Sequence, residues 1–80
     1  MHLPLPEFLH EVDGEIRPVG HRVGLSQLLW FYREGYTAEM LFEQFPTLSM
    51  ALIHKVLAFY WEHRTAVDAY LDGVQARVAA

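Results

Sequence analysis

Three times in this chain of 80 residues a bulky apolar residue is followed by a hydroxyl residue, and then by apolar side chains at helical spacing: Leu25-Ser26, Tyr36-Thr37 and Leu48-Ser49. A Ser or Thr oxygen in that place accepts from an amide of the first turn that has no partner inside the helix. The apolar residue before it can pack on the residue at the fourth helical position, here Trp30, Leu41 and Ile53 in turn. The stops are equally plain. Gly35 supplies the left-handed residue that ends many helices, and Pro46 cannot continue one. The pattern predicts three helices, which narrows the fold class more than any other feature of the chain.

The first predicted helix, "LSQLLWFYREG", carries Leu28, Leu29 and Tyr32 on one stripe. The second, "YTAEMLFEQFP", turns Ala38, Leu41, Phe42 and Phe45 to one side and is too short to be stable alone. The third starts at Ser49 and is predicted to run without a break through "MALIHKVLAFYWEHRTAVDAYLDG". Ile53, Leu57, Tyr60, Val67, Leu71, Val74 and Val78 recur along it at spacings of three, four or seven, widened by Leu52, Val56, Phe59 and Tyr70, with an interruption at Arg64. Two shorter helices cannot cover so long a stripe, so its second half is expected to meet a second copy of the chain. Gly73 is the expected end, with a frayed tail over 73–80. Ahead of the helices, "FLHEVDGEIRPV" predicts a hairpin. Asp13-Gly14 suits a two-residue turn in which both residues need positive φ, Phe8, Val12 and Ile16 supply strand-type side chains, and Pro18 marks an edge. The expected architecture is therefore one mainly α domain over 1–80: an N-terminal β element at 7–24, a tri-helical part at 25–72, and the tail.

With no cysteine in the chain, no disulfide or thiolate metal site can staple so small a core. The apolar fraction of 52%, with eleven aromatic residues, exceeds what one small core hides, so some of it is expected to face a partner. Oligomerisation is the remaining common remedy, and a homodimer is expected. No apolar run reaches the length of a membrane span. The start "MHLPLPEFL" has neither a basic region nor a small-residue cleavage site. A cytoplasmic protein without a membrane partner is expected.

The short second helix, the turn "PTL" and the capped third helix have the order of a helix-turn-helix. In the DNA-binding form, residues near the start of the second of these helices reach base edges. Those are Ser49, Met50, Ala51, His54 and Lys55, to which Arg17, His21 and Arg22 of the hairpin region could add phosphate contacts. The chemistry suits base reading poorly. Lys55 is the one firm cation, and no Arg, Asn or Gln stands there to read bases. Six Lys and Arg face ten Asp and Glu, and residues 37–48 are acidic through Glu39 and Glu43. An ordinary tri-helical packing motif with a solvated outer face would show the same order of residues.

The five histidines have no ligand spacing. His54 and His63 lie nine residues apart on a helix and point to opposite sides, so surface histidine, with no metal and no cofactor, is expected. No catalytic residues are expected either, because Glu62 and His63 are adjacent and neighbours on a helix do not face each other. Trp61 is different. It falls beside Ala58, Glu62 and Thr65, off the apolar stripe. There it is either a binding anchor or covered by the hairpin or the first helix. With Arg64, Val67, Tyr70 and Leu71 it forms the expected partner or dimer interface.

Gly20-x-Arg22-Val23, the segment "EGYTAEMLFEQFPTLS" at 34–49 and "YWEHRTAVDAYL" at 60–71 follow one another in an order and spacing that resemble the prokaryotic family called domain of unknown function 433, a set of antitoxin-like proteins. The resemblance runs over about residues 13–71. It departs at His21, where the family usually has Thr. It implies a homeodomain-like tri-helical fold with an N-terminal β element, and a role as antitoxin to a PIN-domain ribonuclease toxin in a VapBC-like pair, with binding to its own operator DNA as a dimer. Two rivals stand beside that reading: a stand-alone dimeric DNA-binding regulator, and a protein-interaction module with neither toxin nor DNA.

Overall fold

The computed structural model describes residues 4–79. Its chain order is β1 (Leu9–Val12), β2 (Glu15–Pro18), α1 (Leu25–Arg33), α2 (Ala38–Gln44), α3 (Met50–Glu62) and α4 (Arg64–Ala79). The strands pair antiparallel, with Val12 opposite Glu15 and Leu9 opposite Pro18. Asp13 (φ 52°) and Gly14 (φ 81°) both take the left-handed conformation that a two-residue turn of this hand requires. Leu9, Ile16 and Pro18 are buried beneath the hairpin.

Two of the three expected caps form as read. The Thr37 hydroxyl accepts from the Met40 amide at 3.2 Å, and the Ser49 hydroxyl from the Leu52 amide at 3.0 Å. Gly35 (φ 108°) ends α1 in a Schellman arrangement. Its amide bonds to the Tyr32 carbonyl, the Tyr36 amide reaches back to Phe31, and the rings of Phe31 and Tyr36 pack 4.8 Å apart. Phe45, the residue before Pro46, leaves helical geometry and ends α2.

The first cap differs from the expected one. α1 starts earlier than a cap at Ser26 requires: Gly24 is the N-cap, and its amide donates to the Gln27 side chain at 3.0 Å. Ser26 is a helical residue, 3% exposed. The reason is packing. Leu25, Leu28 and Leu29 are all buried, and starting the helix at Leu25 brings the three into the core together. Val23 and Leu28 then hold the positions that Leu25 and Trp30 were expected to fill.

The largest correction concerns the third helix. It is two helices, so the protein has four. His63 (φ −129°, ψ 38°) leaves helical geometry and serves both: its amide bonds back to Phe59, and its carbonyl accepts from the Val67 amide. The break falls beside Arg64, where the apolar stripe was interrupted. A straight helix would carry Val67 and Leu71 past the end of α1 into water. The turn at His63 instead folds α4 back against α1 and α3, and both side chains become 0% exposed. Complete burial of each stabilises the fold by roughly 1.5–3 kcal/mol. α4 continues through the expected end at Gly73 to Ala79; the last residue of the expected tail, Ala80, lies outside the described residues, as does His2. Tyr70 adds a polar tie, accepting at its hydroxyl from the Ile16 amide at 2.8 Å on the outer edge of β2.

Candidate interaction surfaces

Two exposed surfaces lie at opposite ends of α3. At its start the helix-turn-helix order is present: α2, a five-residue turn and α3 follow one another, and α2 packs on α3. Ser49 is exposed, but its oxygen is engaged as the cap. Met50 is half-buried, and Ala51, His54 and Lys55 are exposed. The Lys55 ammonium stands 5.9 Å from the Phe8 ring centre. It borders a shallow groove of about 440 Å³ that Leu5, Phe8, Phe59 and Glu62 also line. Of the hairpin cations, Arg17 is paired with Glu15, and Arg22 is exposed in the loop before α1. The positive charge at this end is thin.

At the other end, the turn at His63 opens a cleft of about 520 Å³ between α1, α3 and α4, lined by Tyr32, Arg33, Tyr36, Tyr60, Trp61 and Arg64, with Asp68 at its edge. Trp61 is 54% exposed, and its indole N–H donates to the Tyr32 hydroxyl at 2.8 Å. The first helix thus holds Trp61 without covering it. The Arg64 guanidinium lies 5.2 Å from the Trp61 ring centre, a cation–π geometry. Tyr32 meets both Tyr60 and Trp61 edge to face, at 6.0 and 6.3 Å. The Tyr60 hydroxyl donates to Asp68 Oδ1 at 2.9 Å. Burial of the phenol, and then the bond to Asp68, raise the Tyr60 pKa above its ordinary value near 10.

Of the residues expected at an interface, Trp61 and Arg64 are exposed at the cleft. Val67 and Leu71 are not available to a partner, because the folded-back α4 places them in the protomer's own core. Tyr70 is half-buried against the hairpin. The long seam that called for a second copy therefore does not exist. Tyr32 and Arg33 are cleft residues that sequence reasoning missed: Tyr32 read as core, and Arg33 was not singled out. Their nearness to Trp61 depends on the turn at His63. Among the described residues, no group of three or more His, Cys, Asp or Glu could hold a metal ion, and no helix is long and apolar enough to cross a membrane.

The described residues thus combine a hairpin, a helix-turn-helix order and an exposed aromatic cleft. The chain belongs to the family described as protein of unknown function (DUF433), whose model matches residues 12–60. The match runs from the hairpin turn into α3 and stops at Tyr60, short of Trp61 and Arg64. No curated protein and no solved structure matches the chain.

Proposed function

We propose that this protein is the cytoplasmic, antitoxin-like partner of a PIN-type ribonuclease toxin, homodimeric when free, which neutralises the nuclease by protein contact through the cleft at Trp61. On this reading α1–α3 form a homeodomain-like unit, and the start of α3 supplies modest affinity for operator DNA. The nuclease enters through the family resemblance. The surface that would hold it is supported by one observation: Trp61 stands exposed yet fixed by Tyr32 and Arg64. Trp, Tyr and Arg are the residue types that carry most of the binding energy at protein interfaces, and side chains held in place beforehand lose little freedom on binding.

The test is inhibition of a PIN-type ribonuclease from the same source by the full chain. Trp61→Ala is expected to raise the inhibition constant a hundredfold or more (about 3 kcal/mol or above) while leaving the helical spectrum unchanged. Full inhibition by Trp61→Ala, or no inhibition by the native chain, overturns the reading.

The stand-alone DNA-binding regulator is supported by the two capped helices of the helix-turn-helix. It predicts affinity for upstream DNA that falls steeply with salt, through release of phosphate counterions, and its loss in Lys55→Glu. Absence of binding at low salt removes it.

A further inference from the structure

α2 is an unusually exposed helix. Leu41 is its one buried residue, while Met40 and Phe42 are 41% and 38% exposed. Glu39, Phe42 and Glu43 stand at i, i+3 and i+4, so they share one face. An aromatic ring there stands beside two carboxylates. The cleft is its complement. Tyr32, Tyr36 and Trp61 give it an aromatic floor, and Arg33 and Arg64 also line it, two of the six Lys and Arg in an acidic chain. Both arginines are loosely paired within the protomer, Arg33 at 4.0 Å from Asp72 and Arg64 at 3.8 Å from Asp68. One oxygen of Asp68 is already engaged by Tyr60. Exposed pairs of this kind contribute little, so a better-placed carboxylate can replace them.

We propose that the cleft receives α2 of a second copy of this chain, with Phe42 entering the aromatic floor and Glu39 and Glu43 facing Arg33 and Arg64. Tyr36 lines the cleft, and Thr37 alone separates it from the first residue of α2. The two patches are therefore neighbours on one protomer. A single two-fold rotation forms both contacts at once, each patch of one copy meeting the other patch of its mate, which is how a closed dimer is made. The protomer's own α2 cannot fill the cleft, because Leu41 anchors that helix with the Glu39–Phe42–Glu43 face toward solvent. Doubling the contact also matters for size, since a stable interface buries about 1,200 Å² or more and one two-turn helix in one cleft supplies only part of that. The dimer does not depend on the nuclease reading. It would compete with the nuclease for the cleft.

Sedimentation equilibrium of the full chain from micromolar to millimolar concentration tests the proposal. The native chain is expected to approach twice its monomer mass, more readily at low salt than at high. Arg64→Glu and Glu43→Arg should each weaken the dimer about tenfold or more, and the two together should restore it to within about threefold of the native chain, because swapping both charges returns an attractive pair. Circular dichroism confirms that each variant stays helical. A native chain that remains monomeric throughout overturns the proposal. So does a dimer indifferent to both single changes, or a double variant weaker than either single one. Nuclease inhibition is measured separately on Glu43→Arg, whose cleft residues are unchanged, so either idea can fail while the other stands.

Discussion

α3 begins and ends at exposed surfaces of opposite character. At its start a capped helix presents Ala51, His54 and Lys55, with Lys55 the one firm cation among them, and the polar oxygen of Ser49 is engaged in holding the helix. At its end the chain turns at His63 and gathers four aromatic side chains and two arginines around one cleft. The first surface is made by local rules, a cap and a turn. The second is made by residues from three helices meeting. In this small protein the helix-turn-helix order and the aromatic cleft are thus separate surfaces.

The contrast is most exposed to attack at α4, whose return against α1 creates the cleft. Leu71→Ala leaves a cavity at a fully buried site and is expected to cost about 2–5 kcal/mol, read as a lowered urea midpoint. For a domain with a thin margin that is near complete unfolding. If Leu71→Ala kept its stability and changed only the association state, Leu71 would be an interface residue and the folded-back α4 would be wrong.

A smaller effect probes the other end. Thr37→Ala and Ser49→Ala each remove one cap bond and should each cost about 1 kcal/mol. The two should add within about 0.5 kcal/mol, since the hydroxyls share no partner. Trp61 fluorescence should stay unchanged in both folded variants. A shift in that fluorescence would mean that the two ends of α3 are coupled.

The smallest effect is a pH dependence at the cleft. The Tyr60 phenol is held above its ordinary pKa by burial and by the bond to Asp68. The folded protein therefore holds that proton more tightly than the unfolded chain. The resulting stability is fully present below about pH 10 and is lost as pH rises through the folded value. Urea midpoints measured from neutral to strongly alkaline pH should fall more steeply for the native chain than for Tyr60→Phe. Parallel curves would show that the Tyr60–Asp68 bond does not hold the phenol's proton.

The local structure of this protein was legible in its residues. Asp13-Gly14 dictated the hairpin turn, Thr37 and Ser49 dictated two helix starts, and Gly35 and Pro46 dictated two ends, because each acts through hydrogen bonds and dihedral angles within a few residues of itself. Trp61 was also marked as lying off the apolar stripe. The break at His63 left only a faint trace, the interruption at Arg64, since Val67 and Leu71 keep a spacing that suits one straight helix as well as two. Ser26 misled for a related reason: a serine before helical spacing reads as a cap, yet the burial of Leu25 moved the helix start to the residue after Gly24. Three outcomes came from packing alone: α4 folds back, Val67 and Leu71 belong to the protomer's own core, and Tyr32 and Arg33 stand beside Trp61. They depend on which apolar surfaces can cover one another in three dimensions, a quantity that no spacing along a single helix contains.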